Sequence, residues 1–190
     1  MKTAILALGS LGAMAASPAV VLPLPTATPA EVDPKPPVLL GETTPTAILA
    51  NRAQFRDNLA KVKLAAALRA RWKAVRRPFT LVAVFGSWCG DSHRHLPDLL
   101  VLQADPNPFI EVHYLGVNRD KALEAAAWPQ GCDPQIVERV PTFYLFAQQP
   151  GGGQAWVGSV VETPPRSGQS MAEALVELVE AGGKPRQAGS

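Results

Sequence analysis

The sequence has little net charge, few cysteines and no apolar run long enough for a membrane. Its 18 lysines and arginines stand against 16 acidic residues, a formal net charge of +2, which gives no reason to expect a strongly charged partner. The apolar run at residues 3–16 is too short to span a bilayer. Because only two cysteines occur in 190 residues, each is considered as a redox group. The length suits one domain with a real core and extensions.

The amino-terminal residues have the pattern of an export signal followed by a linker. A cationic start precedes the apolar run, and residues 13–15 (Ala-Met-Ala) provide a cleavage site, so residues 1–16 are predicted to be a secretory signal peptide. An uncleaved anchor is the alternative, and the lack of a cysteine near this cleavage site excludes a lipoprotein. The mature protein is therefore expected to be periplasmic or secreted, in an oxidising compartment. Residues 17–45, rich in Pro, Thr, Ala and Val, are predicted to be an extended linker.

Residues 46–75 are strong helix formers without an internal glycine or proline. Their apolar side chains form two stripes on nearly opposite sides of a helix. They are predicted to be either two helices that meet near Lys63 or one helix whose ends pack against different surfaces. Residues 51–77 also hold nine lysines and arginines and one acid, Asp57. These cations are interpreted as long side chains extending from a packed helix, with a basic patch for an acidic partner or anionic lipid as the alternative.

The remaining segments predict an alternation of strands and helices. Residues 79–85 form a continuous β-branched and aromatic run, typical of a buried strand, and leucine spacing predicts a helix from about Asp91 to Gln103. A strand at residues 109–117 completes a parallel βαβ unit. The elements that follow are a short helix at 118–128, a hairpin of strands at 142–147 and 154–162, and a final helix at 170–181 with Ser170 as its N-cap.

Cys89 is predicted to lie where the strand at 79–85 turns into the helix. Unpaired N–H groups and the positive end of the helix dipole favour an anion there, so this thiol is expected to ionise more readily than a free thiol. A thiolate is the nucleophile of thiol–disulfide exchange. A reactive thiol is therefore favoured over the alternative, a buried structural cysteine.

Three motifs resemble the thioredoxin family. Residues 88–92, Trp-Cys-Gly-Asp-Ser, resemble the family's Trp-Cys-Gly-Pro-Cys site, Pro97 lies where thioredoxins carry a helix-kinking proline, and residues 140–142, Val-Pro-Thr, resemble the cis-proline loop. The resemblance covers roughly residues 79–181 and is greatest to bacterial secreted members with a Trp-Cys-x-Asp-Ser site. It implies an α/β thioredoxin fold at residues 46–185: a central mixed sheet of βαβ and ββα halves, helices on both faces and an amino-terminal helical extension.

The resemblance also implies a peptide-binding surface. A substrate peptide would pair with the backbone of Val140 beside a cis Pro141, which Thr142 follows, and would contact the apolar edge of Trp88. These four residues are the predicted substrate-binding residues.

Ser92 and Ala83 depart from the thioredoxin pattern. In the family, a second thiol at position 92 attacks the mixed disulfide, and many members bury an acid at position 83 that serves that thiol as a base. Cys89 and Ser92 are therefore the predicted catalytic residues of a monothiol site, in which Ser92 hydrogen-bonds the thiolate. An external thiol such as glutathione, a second thiol of the substrate, or Cys132 would resolve the mixed disulfide.

Asp91 and His93 are candidate modulators of the thiol. The Asp91 carboxylate disfavours a neighbouring thiolate but is itself favoured at the first turn of a helix; it could also simply cap that helix, and Arg94 could offset its charge. His93 is interpreted as solvent-exposed or thiolate-stabilising. The alternative is a copper or zinc site formed by Cys89, His93 and His113.

The sequence thus predicts thiol–disulfide exchange with cysteine-containing proteins or glutathione-like thiols, in redox homeostasis of the cell envelope. The alternatives are a non-catalytic peptide-binding module of the same fold and a copper- or zinc-binding chaperone. No cofactor and no nucleic acid are expected, and membrane contact is expected only through an uncleaved signal.

Overall fold

The structure, a computed structural model, describes residues 36–149 and 151–183. The predicted signal peptide and residues 17–35 of the predicted linker lie outside the described residues. None of the helices within the described ranges is long and apolar enough to cross a membrane.

A five-stranded mixed sheet forms the centre of the described domain. The strands are β1 (Gly41–Thr43), β2 (Phe79–Phe85), β3 (Ile110–Gly116), β4 (Thr142–Gln148) and β5 (Gln154–Val161), in the spatial order β1-β3-β2-β4-β5. β2 and β3 are parallel, and the other neighbouring pairs are antiparallel. The expected α/β fold with βαβ and ββα halves is therefore confirmed, and β1 is an addition at one edge.

Five α-helices accompany the sheet in the described residues: α1 (Pro45–Asn51), α2 (Ala53–Leu59), α3 (Ala66–Ala74), α4 (Gly90–Gln103) and α5 (Met171–Gly183). α4 is the crossover between the parallel strands β2 and β3. Ser170 caps α5 as expected, since its Oγ accepts the Glu173 N–H at 3.2 Å while the Glu173 carboxylate accepts the Ser170 N–H at 2.8 Å. The Asp98 carboxylate of α4 also accepts the Ala172 N–H at 3.0 Å, which joins α4 to α5.

The central strand β2 is buried along its whole length because both faces of the sheet are covered. Leu81, Ala83 and Phe85 contribute to the core on the helix-covered face. Val82 and Val84 contribute to a second core on the other face, together with Trp128 and neighbouring residues. The turn that follows β2 therefore starts from a strand whose position is fixed by packing on both faces of the sheet.

Residues 36–45 belong to the folded domain, so the linker prediction is wrong for this part of residues 17–45. The Leu39 N–H donates to Ser87 Oγ at 3.0 Å, and β1 pairs with β3 so that Gly41 lies opposite Gly116. A Cβ at position 116 would collide with the Leu39 carbonyl oxygen, so only glycine permits this close approach. An edge strand of three residues is too short to leave a periodic signal in the sequence.

The amino-terminal helical segment is broken at two places. α2 and α3 are separate helices on either side of Lys63, as the first of the two predicted alternatives required. A second break lies at Arg52, whose backbone is extended (φ −140°, ψ 139°) between α1 and α2. Because the chain turns at these breaks, both apolar stripes become buried, as Phe55 and Trp72 show.

The helix predicted at residues 118–128 is wrong except for a 3₁₀ turn at Ala125–Ala127. Lys121 has a positive φ of 57°, which a right-handed helix cannot continue through. Trp128 packs edge-on against Tyr144, with ring centroids 5.4 Å apart. Burial of this indole on the sheet outweighs the helix propensity of the alanines.

Several basic residues of the segment 51–77 form ion pairs with carboxylates of the same chain. Asp105 pairs with both Arg69 and Lys73, and Arg71 lies 2.7 Å from Glu180. These pairs agree with the interpretation of cationic side chains extending from packed helices.

Pro97 in the middle of α4 leaves one helix carbonyl without its usual partner. Proline has no N–H, so the carbonyl of His93, four residues earlier, loses its intrahelical bond. Asn58 of α2 replaces it, because Asn58 Nδ2 donates to the His93 oxygen at 2.9 Å. The amino-terminal helices thus complete the hydrogen bonding of the crossover helix.

A double-mutant cycle tests this replacement of a backbone donor by a side chain. Asn58→Ala alone should lower the free energy of unfolding by about 1 kcal/mol, because a part-buried carbonyl loses its partner. In a Pro97→Ala background the restored backbone N–H bonds to His93, so Asn58→Ala should cost little. Urea unfolding of the four proteins gives the coupling energy. An equal cost of Asn58→Ala in both backgrounds would contradict the interpretation.

Candidate functional site

The turn from β2 to α4 carries the Cys89 thiol. Cys89 is the N-cap of α4, with an extended backbone (φ −93°, ψ 129°), and is partly exposed. Its N–H closes the turn onto the Gly86 carbonyl at 2.9 Å. Glycine is needed at position 86 because a Cβ there would lie 2.7 Å from the Trp88 ring. The residues of the turn therefore place the sulfur at the amino-terminal end of a 14-residue helix.

Ser92 is fully buried beneath this turn. Its hydroxyl oxygen accepts the Gly86 N–H at 3.2 Å, so the structure gives Ser92 a different partner from the Cys89 sulfur that the sequence suggested. The bond joins the first turn of α4 to the residue that ends the strand. Ser92 thus helps to fix the turn that carries the Cys89 thiol.

The Cys89 sulfur contacts the loop that the sequence predicted to face it. Its thiol donates to the Val140 carbonyl oxygen at 3.2 Å, and the next peptide bond, Val140–Pro141, is cis. The Thr142 hydroxyl donates to the Arg139 carbonyl at 2.8 Å, which fixes the loop at its other side. Cys89, Val140, Pro141 and Thr142 are therefore brought together, with the Val140 carbonyl occupied by the thiol.

Trp88 is covered by an arginine that the sequence analysis missed. The Trp88 indole N–H donates to the Val117 carbonyl at 3.0 Å, and the Arg119 guanidinium lies over the ring, 4.7 Å from its centroid. Both partners follow β3 in the chain. Because the carboxyl ends of the parallel strands β2 and β3 meet at one edge of the sheet, the residues that follow β3 lie beside those that follow β2, and this topology is the signal for Arg119.

Asp91 lies on the first turn of α4 but is not its N-cap, which is Cys89. Asp91 Oδ1 lies 3.4 Å from the Arg94 guanidinium; the Arg94 side chain is largely exposed and the Asp91 side chain partly exposed. The expected pairing with Arg94 is therefore present, as an exposed ion pair of small energetic weight.

His93 is half-buried and has neighbours other than the sulfur, so its interpretation as a solvent-exposed residue is wrong. Its Nε2 lies 2.8 Å from the Ser87 carbonyl oxygen, which can only accept, so this nitrogen carries the proton. The ring packs edge-on against Phe55 of α2, with centroids 4.7 Å apart. His93 therefore joins the turn before Cys89 to the amino-terminal helices.

The residues considered for a copper or zinc site are not assembled into one. His113 Nδ1 lies 2.9 Å from Glu42, and its Nε2 lies 3.0 Å from Glu111, on the strands β1 and β3. Within the described part of the chain, no group of three or more His, Cys, Asp or Glu side chains is placed to hold a metal ion.

Cys132 lies at the opposite end of the sheet from Cys89. It forms an isolated bridge with Gln154, which pairs with Gln148 at the end of β4, whereas Cys89 contacts Val140 just before β4 begins. The strand between them extends about 20 Å, and a disulfide needs Cα atoms within about 7 Å. Direct resolution of the mixed disulfide by Cys132, one of the three predicted routes, is therefore not available.

The two cysteines should differ sharply in reactivity. Burial, together with the charges of Glu111 and Asp133, raises the pKa of the Cys132 thiol to about 11. In a Cys89→Ser variant, alkylation by iodoacetamide should therefore be very slow at neutral pH and should rise with pH towards about 11, as the thiolate fraction grows. The matched Cys132→Ser variant reports Cys89 alone. Comparable rates for the two variants at neutral pH would contradict this assignment.

Comparisons with known proteins agree with this architecture. A family profile described as thioredoxin matches residues 41–157. Among solved structures, a protein of unknown function from Pseudomonas aeruginosa is 18% identical with a TM-score of 0.50, covering 74% of this chain and 91% of that chain. An HIV epitope-scaffold is 17% identical with a TM-score of 0.50, covering 74% and 92%. At this identity the two structures show the fold alone, and no curated protein matches. Because the family profile spans more than half of the sequence, the chain belongs to the thioredoxin family.

Proposed function

We propose that this protein carries out thiol–disulfide exchange with Cys89 as its single reactive thiol. The Cys89 thiolate attacks one sulfur of a partner disulfide, forming a new S–S bond as the old one breaks. The other sulfur leaves as a thiolate and takes a proton from solvent, which has received the proton of Cys89. The balance is one thiol and one disulfide on each side, with no other oxidant or reductant.

The observation that carries the proposal is the position of the Cys89 sulfur. It lies at the N-cap of α4, the end of a helix at which the dipole favours an incoming anion. It is partly exposed and lies 3.2 Å from the Val140 carbonyl, beside backbone that an extended peptide could pair with. A structural cysteine would need none of these features.

Release of the partner requires a thiol from outside the chain. Ser92 is buried and bonded to Gly86, and Cys132 is bridged to Gln154 beyond the far end of β4. An external thiol, or a second thiol of the partner, attacks the mixed disulfide, takes the partner sulfur into a new disulfide and returns Cys89 to the thiol form. Long-lived mixed disulfides are the expected result.

The proposed partners are cysteine-containing proteins or glutathione-like thiols outside the cytoplasm. The location rests on the export pattern of residues 1–16, and disulfides persist in such compartments. The finer assignment within the family, to secreted monothiol members, rests on the Trp-Cys-Gly-Asp-Ser sequence at residues 88–92.

Trapping of a mixed disulfide tests the proposal. The Cys132→Ser protein, incubated with glutathione disulfide, should gain one glutathione adduct on Cys89 by intact-mass and peptide mass spectrometry. The adduct should persist until free glutathione or dithiothreitol is added, because the chain lacks a resolving thiol near Cys89. Alkylation of Cys89 should also be faster than that of an unstructured cysteine peptide at the same pH.

The control is Cys89→Ala in the same background, which should form no adduct. If Cys89 reacts no faster than the unstructured peptide, the exchange activity is contradicted. Capture of peptide partners that is unchanged in Cys89→Ala would instead identify a non-catalytic binding module.

Restoring a thiol at position 92 should convert the site into one that resolves its own mixed disulfide. Ser92→Cys places a second sulfur one helical turn after Cys89. Adduct release without added thiol and insulin reduction with dithiothreitol should then both rise at least about tenfold, as expected when an attack becomes intramolecular. Ser92→Ala is the matched control, because it also loses the bond to the Gly86 N–H but brings no thiol. Release equally slow in both variants would show that the turn cannot bring the two sulfurs together.

A further inference from the structure

Arg119 differs from every other arginine in the described residues. The others, at positions 52, 56, 69, 71, 76, 77, 94, 139 and 166, donate hydrogen bonds to carboxylates or backbone carbonyls. The contact that the structure gives Arg119 is with an aromatic ring, the indole of Trp88, 4.7 Å from its centroid. An exposed guanidinium whose five N–H donors have no partner among the described residues is therefore held beside the residue that precedes Cys89.

Stacking prepares this guanidinium for an anion. A ring face restrains the planar group through cation–π attraction and leaves its in-plane N–H donors pointing outward. The Trp88 ring is itself fixed by its bond to Val117 at 3.0 Å, so the charge has a defined place. A carboxylate is the group that matches the two parallel N–H donors of such a fork.

The charges near the thiol favour the same ligand. Arg94 of α4 already lies against Asp91, whereas the contact given for Arg119 in the described part of the chain is with the Trp88 ring and not with a carboxylate. An incoming carboxylate would therefore gain an ion pair at Arg119 without displacing one.

We propose that Arg119, stacked on Trp88, forms a subsite for a carboxylate of the thiol or disulfide that reacts with Cys89, so that the protein prefers acidic partners. This inference rests on the proposed exchange at Cys89 and adds the substrate class. The relevant partners carry a carboxylate within one or two residues of the reacting sulfur. Arg119 acts through binding, and the exchange step itself is unchanged.

The test compares anionic and neutral reagents on the same thiol. In the Cys132→Ser protein, Cys89 is alkylated by iodoacetate or by iodoacetamide; in each case a C–S bond forms, the C–I bond breaks and iodide leaves. Arg119→Ala should lower the iodoacetate rate relative to the iodoacetamide rate by about threefold, the weight of one exposed ion pair. The ratio in the parent should also fall with added salt, which screens that attraction. Arg119→Lys should keep part of the preference, since it retains the charge without the planar fork.

The matched control is Lys63→Ala, which removes one exposed positive charge from the segment between α2 and α3 and should leave the ratio unchanged. A second pair of probes, the disulfides of a short cysteine peptide with a free or an amidated carboxyl terminus, should show the same ratio in adduct formation.

If Arg119→Ala lowers both rates equally, Arg119 only supports Trp88 and the subsite is contradicted. If the ratio of the iodoacetate rate to the iodoacetamide rate falls as much in Lys63→Ala as in Arg119→Ala, net charge alone explains the preference and the subsite is also contradicted. If Cys89 of the parent reacts with none of the reagents faster than a free thiol, the exchange proposal itself fails.

Discussion

The turn between β2 and α4 is the constraint on which the site depends. It must pass from a fully buried strand to a helix within four residues while leaving a sulfur at the helix terminus. Two bonds hold it from different directions: Ser92 accepts the Gly86 N–H from below, and Ser87 accepts the Leu39 N–H from the segment before β1. With the turn fixed in this way, the Cys89 thiol meets the Val140 carbonyl at 3.2 Å.

The amino-terminal helices are part of the machinery that positions α4. Asn58 supplies the hydrogen bond that Pro97 removes from the His93 carbonyl, and Phe55 packs against the His93 ring. The same ring reaches the carbonyl of Ser87 in the turn. The helical extension therefore replaces the hydrogen bond that the proline removes from α4. Through the His93 ring it is also in contact with the turn that precedes the thiol.

In the proposed exchange, a site with a single thiol in this geometry would favour capture of a partner over turnover. Ser92 occupies the position of a resolving thiol, but its hydroxyl accepts a hydrogen bond from the Gly86 N–H. Ala83 is part of the apolar core at the position where an acid would act as the base for such a thiol. Cys132 is remote, and burial raises its pKa to about 11. In the proposed exchange, partner release depends on thiols from the surroundings, and the Trp88–Arg119 contact beside Cys89 is the proposed means to select among partners by charge.

The sequence alone determined the elements with strong local signals. The β-branched run of β2, the leucine spacing of α4 and the cap at Ser170 predicted their elements closely, and the motifs around Cys89 and Pro141 indicated the fold. Tertiary structure decided what depends on distant partners. The strand at 41–43 exists because Gly116 admits Leu39, the alanine-rich segment is irregular because Trp128 is buried on the sheet, and Arg119 reaches Trp88 because β3 runs parallel to β2. Such contacts join residues far apart in the chain, and no local pattern records them.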